Sequence, residues 1–93
     1  MKRINVKDLY KYLKDFNDKD ISLNMVGVLY TDIKIVKAKF NYHNECAMIR
    51  IKGGNIGLGI DISAIYNATL NKENTAISLY MDSDIKIIIS LAE

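Results

Sequence analysis

The stretch RIKGGNIGLGIDI, Arg50 to Ile62, places four glycines inside two otherwise apolar runs. Two explanations compete: a loop that cradles phosphate, or strand backbone that needs bare positions. The phosphate loop fails on its flanks. GGNIGLG lacks the Lys-Ser/Thr ending of a P-loop, and its spacing does not match G-x-G-x-x-G leading into a helix. The strand reading is self-consistent. Gly53-Gly54 is a two-residue hairpin signal, because the favoured hairpin turns need positive φ at their centre. Closing the hairpin there sets Ile51 against Ile56, Ile49 against Leu58 and Ala47 against Ile60, all apolar on one side. Gly57 and Gly59 then fall on the other side, beside Arg50 and Met48.

The same logic extends outward. If YHNE at 42–45 is a turn, Val36 faces Ile51, Ala38 faces Ile49 and Phe40 faces Ala47, while Lys37 faces Arg50 and Lys39 faces Met48. A slip of one residue would mix the two sets, so the pattern constrains the pairing. Further upstream, Ile21, Leu23 and Met25 alternate with polar residues, and Val26, Val28 and Tyr30 continue the strand after a phase slip near Gly27. Before them the period is helical. Asn5 opens a helix with Asp8 in its first turn, Val6, Leu9, Leu13 and Phe16 form one face, and Lys7, Lys11, Lys14 and Asp15 form the other. NDKD at 17–20 ends it.

Downstream, IDISAIYNATL reads either as a short helix capped by Asp61 or Ser63, or as a bend at Ser63-Ala64 followed by a strand. The strand is preferred, because NKEN at 71–74 then closes a hairpin with Tyr66 against Leu79 and Ala68 against Ile77. DSD at 82–84 joins Ile77, Leu79 and Met81 to Ile85, Ile87, Ile89 and Leu91, all on one face. The expected architecture is α+β: a single domain over 1–93, with an N-terminal helix at about 5–16 packed on an antiparallel meander at about 20–91. Five to seven strands are expected, curled into a small barrel or left as an open sheet.

Composition narrows the function classes. Hydrophobic residues make up 49% of the 93-residue chain and charged residues 26%, ordinary values for a folded globule. No apolar run reaches the ~20 residues that span a bilayer, and the basic start has no continuous apolar core of a secretory signal. With a single cysteine, Cys46, as well, a cytoplasmic protein is expected. His43, Glu45 and Cys46 crowd one turn but supply poor zinc geometry and no third member of a nucleophilic set. Asp82 and Asp84 flank a turn where Asp is expected for its backbone hydrogen bonds. Neither a cofactor, a metal nor catalysis is expected.

What remains is charge. Residues 1–52 carry a net +5 and residues 53–93 a net −3, within an overall +2. Lys37, Lys39, Arg50 and Lys52 share a strand face beside the bare Gly57 and Gly59, with Tyr42 at the hairpin tip as a stacking surface. Lys37 opposite Arg50 would repel by ~1–3 kcal/mol at ~5 Å, so something should offset it. This face is the expected contact surface for an anionic partner.

In size and Ile/Lys/Asn-rich composition, the whole chain is similar to accessory proteins of bacterial prophages and other mobile elements, including anti-CRISPR-type inhibitors. The resemblance carries no site residues over. It implies action by blocking or sequestering. The expected function is therefore non-catalytic: an inhibitor or regulator that docks on a protein partner and self-associates as a homo-oligomer. The alternative is nucleic-acid or nucleotide binding through the Lys/Arg-lined strand face.

Overall fold

A computed structural model describes residues 2–92, and the side chain of Asn44 is outside that description. Helical residues run from 6 to 16: a 3-10 turn Val6–Asp8, a short α-helix α1 (Leu9–Leu13), and a second 3-10 turn Lys14–Phe16. Asn5 caps the start by accepting the Lys7 N–H at 3.0 Å. Leu9, Leu13 and Phe16 are buried as the period requires, and Val6 packs on the same core.

Among the described residues eight antiparallel strands follow or flank the helical segment: β1 (Lys2–Ile4), β2 (Lys19–Val26), β3 (Tyr30–His43), β4 (Met48–Gly53), β5 (Ile56–Asp61), β6 (Ile65–Leu70), β7 (Ala76–Met81) and β8 (Ile85–Leu91). Their order is β1-β6-β7-β8-β2-β3-β4-β5. Two meanders, β2 to β5 and β6 to β8, are thus joined side by side along β2 and β8, and β1 adds at one edge. This corrects the expectation of five to seven strands in one meander.

Of the two expected closures the open sheet is found, not the barrel: among the described residues β5 pairs only with β4. It is nonetheless strongly curled. β5 and β6 lie six strand steps apart, about 29 Å in a flat sheet at ~4.8 Å per step. Only Ile62–Ala64 links them, a reach of at most ~14 Å. The sheet must therefore fold back towards itself, which gives extents of 28 × 28 × 27 Å. The helical segment packs on β2, β3 and β6, and Leu9, Leu13, Ile21, Ile49, Ile77 and Ile89 are wholly buried.

The bend is made in β3. Its pairing with β2 shifts between Ile21↔Ile35 and Lys19↔Ala38, leaving Val36 and Lys37 in a bulge with Lys37 at φ 49°. Strands that turn a corner between packed layers commonly do so at such a bulge. Val36 is 57% exposed as a result, not the core residue its alternation suggested. It does not face Ile51. The β3–β4 turn falls at 44–47, two residues later than expected, so Phe40 pairs with Ile51, Asn41 with Arg50, and Lys39 with Lys52.

The β4–β5 turn moves by one residue, which shifts every partner by two. It falls at Gly54-Asn55, with positive φ at Gly54 only, and pairs Gly53↔Ile56, Ile51↔Leu58 and Ile49↔Ile60. Gly53 is needed for a different reason: a Cβ there would lie 2.3 Å from Ile35 Cγ2 and 2.6 Å from the Val36 carbonyl oxygen. The end of β4 presses onto the corner of β3.

At residues 62–70, both sequence readings contribute. Asp61 caps a 3-10 turn by accepting the Ser63 N–H, and β6 follows with Ala68↔Leu79 and Leu70↔Ile77. This register lies two residues from the expected one, so Ala68 and not Tyr66 faces Leu79 and Leu70 and not Ala68 faces Ile77, and a bulge in β6 leaves Tyr66 exposed. The β7–β8 hairpin is as expected, with Ile77↔Ile89, Leu79↔Ile87 and Met81↔Ile85.

Gly53→Ala should destabilise the fold by about 1–3 kcal/mol, the usual range for an overpacked site. Gly57→Ala, where an added Cβ meets nothing within 4 Å, should stay within about 0.5 kcal/mol of the parent. Urea unfolding midpoints of the two variants check both.

Candidate functional site

Three surfaces carry chemistry or exposed apolar area. The first is the cationic strand face. Lys39 and Lys52 are direct cross-strand partners, Arg50 sits between Asn41 and Gly59, and Gly57 lies beside Lys52. The like-charge opposition expected of Lys37 and Arg50 therefore exists, but between Lys39 and Lys52. An offset is present: Lys39 forms an ion pair with Asp18, both side chains being well exposed. Such a pair contributes about 0–1 kcal/mol, enough to blunt the repulsion without removing it. Lys37 belongs to the bulge, and its N–H donates to Asp20 Oδ1 at 3.0 Å. Tyr42 is on the opposite side from Arg50, paired with Ile49 and stacked near Tyr10 with centroids 5.9 Å apart. Five of the seven expected residues, Lys39, Arg50, Lys52, Gly57 and Gly59, thus share one face, whereas Lys37 and Tyr42 do not join it in register.

Asp61 pairs with Met48 at the end of β5. The Ser63 hydroxyl donates to its Oδ1 at 2.6 Å and the Ser63 N–H at 3.0 Å, and these bonds hold its pKa below the usual carboxylate value. The His43–Cys46 tip forms a shallow cleft with Tyr42 and Glu45, where the Cys46 thiol donates to the His43 backbone carbonyl at 4.0 Å. Among the described residues, no three His, Cys, Asp or Glu side chains come together in a metal-binding group.

The second surface was missed by the sequence reading. Gly27, Val28 and Leu29 form the tip of the β2–β3 hairpin, closed by the pair Val26↔Tyr30. Val28 is 101% exposed, Leu29 74% and Tyr30 66%. Beside them an apolar cleft of about 240 Å3 is lined by Met25, Gly27, Val28, Leu29, Ser83 and Ile85. Extending the alternation through Gly27 hid this tip. The available signal was three consecutive apolar residues after a glycine, with no polar turn former among them.

The third comprises two clefts along the N-terminal helical segment, each of about 430 Å3. One is bordered by Lys7, Lys11, Lys14 and the Tyr10/Tyr42 pair, the other by Arg3, Tyr66 and Asn67. No family model, curated protein or solved structure matches the chain, so function has to be argued from these surfaces alone.

Ser63→Ala should raise the Asp61 pKa towards the ordinary value, as followed by carboxyl 13C shifts in an NMR titration. The sign for stability follows from the direction. A folded-state pKa below the unfolded one stabilises above the unfolded value, and that stabilisation is lost as pH falls through the folded value. The acid limb of the parent's stability curve should therefore be steeper than that of the variant.

Proposed function

We propose that this protein is a non-catalytic binding protein that docks on another protein through the β2–β3 tip, with the Lys39/Arg50/Lys52 face as a flanking, charge-selective contact. The carrying observation is the exposure of Val28 and Leu29 beside an apolar cleft, in a molecule that buries most of its other large aliphatic side chains. A hairpin tip gains nothing for the fold from leaving such residues in water, and grouped apolar exposure of this kind marks contact surfaces. Hot spots in interfaces are typically a few large side chains seated in desolvated pockets, with a polar rim that tunes rate and specificity. The tip offers two protruding side chains and a recess; the strand face offers the rim.

Two features place the charged face second. Asp18 occupies Lys39, and the bulge withdraws Lys37 from the row, so Arg50 and Lys52 are left as its principal cations. That is a thin basis for gripping a nucleic-acid backbone, whose affinity grows with the number of phosphates neutralised. It suffices to orient an acidic protein surface. Blocking or sequestering, the mode implied by the likeness to mobile-element accessory proteins, needs no more than a covered partner surface.

The test is a Val28→Asp/Leu29→Asp variant, which should fold within about 0.5 kcal/mol of the parent because the tip is solvent-exposed. Affinity capture from the native host, quantified by mass spectrometry, should recover a protein with the parent and lose it with the variant. Arg50→Glu/Lys52→Glu should weaken recovery only in part. Equal recovery by parent and tip variant overturns the proposal.

A further inference from the structure

We infer that the two clefts along the N-terminal helical segment form one binding track for single-stranded nucleic acid, distinct from the hairpin tip and independent of the docking function proposed above. Three observations carry it. The clefts are neighbours, with Val6 lining both. Their cations fall in a row: Arg3 lies at the β1 end, and Lys7, Lys11 and Lys14 follow at i, i+4 and i+7 on one stripe of the helical segment, all exposed. That stripe spans about 10 Å, too long for one phosphate group and suited to successive phosphates on a strand.

Each cleft also holds an aromatic platform. Tyr42 is 43% exposed and backed by Tyr10, whose hydroxyl is committed to the Phe40 carbonyl oxygen at 3.2 Å. Tyr66 is 61% exposed because the β6 bulge turns it out of the sheet. Two separated tyrosines flanking a line of cations match the way unpaired strands are held, by stacking bases while phosphates meet basic side chains. A duplex, whose bases are already stacked on each other, gains nothing from them.

Among the described residues Asp8 is the one carboxylate bordering either cleft; it opposes phosphate and lowers affinity without reversing the net charge of the row.

The experiment is fluorescence anisotropy at low salt with short labelled oligo-dT and oligo-U, and with a duplex of matching length. Single strands should bind and the duplex should bind at least tenfold more weakly. Tyr42→Ala and Tyr66→Ala should each weaken single-strand binding by about 5- to 100-fold, the range expected for one stacked base. Lys7→Glu/Lys11→Glu should lower the slope of log affinity against log salt by about 1.4, at ~0.7 per phosphate contact. Asp8→Asn should tighten binding about two- to threefold. Absence of single-strand binding, equal affinity for duplex, or tyrosine variants that bind like the parent overturn the track. Val28→Asp/Leu29→Asp should bind oligonucleotides as the parent does, so failure of the docking proposal leaves this result unaffected.

Discussion

At the corner of β3, a strand that leaves one partner for another must still satisfy its backbone groups. Where the β2 ladder gives way at Val36-Lys37, the chain just after the helical segment takes over. Asp20 accepts the Lys37 N–H, Asp18 donates its own N–H to the Ala38 carbonyl at 2.8 Å, and Asn17 accepts the Phe40 N–H at 2.8 Å. Tyr10 then closes the set on the Phe40 carbonyl. Four backbone groups of one short stretch are thereby held by residues 10–20, at a net contribution near 1 kcal/mol each. On the other flank Gly53 lets β4 lie against the bend. The curl of the sheet, the seat of the helix and the position of the cationic face all follow from this junction.

Away from the bulges at Val36 and Tyr66 the faces of the strands were legible in the sequence, whereas of the registers only that of the β7–β8 hairpin was. Side chains alternate with a period of two, so a register error of two or four residues leaves every residue on its proper face. That is why Ile49, Ile51 and Phe40 are buried and Arg50 and Lys52 exposed even though their partners differ from those expected. Apolar patterning fixes parity; turn geometry fixes the count. Here the Asn44–Cys46 turn, with Ala47 at φ 49°, and the single positive φ at Gly54 set the count, and neither has a strong sequence signature. Bulges are harder still, since nothing in IVKAKF announces that Val36 and Lys37 step out of the ladder. The pairing of β2 with β8 lay beyond local pattern altogether, because it joins segments some sixty residues apart.

Of the candidate surfaces, the lysine stripe of the helix was visible from spacing alone. What the fold adds is its company. Arg3 comes from β1, Tyr66 from the bulge in β6 and Tyr42 from the end of β3. Chemistry assembled from four separate segments cannot be read from any one of them. The apolar tip is the reverse case: a purely local feature, overlooked because alternation was extended through a glycine that in fact ends the strand.

The seam between β2 and β8 bears on how the chain comes into being. Ile21 sits beside Leu91 and Val26 beside Lys86. During synthesis, β2 can therefore gain its second neighbour only after residues 86–91 have left the ribosome. Until then the β2–β5 meander waits with one flank bare, and Ile21 and Leu23 lack the cover that Ile89 and Leu91 later supply. Non-local closure of this sort slows folding and prolongs the exposure of a pairing-competent edge. Nascent chains of this protein should for that reason depend on holdase chaperones more than a helical bundle of equal length does.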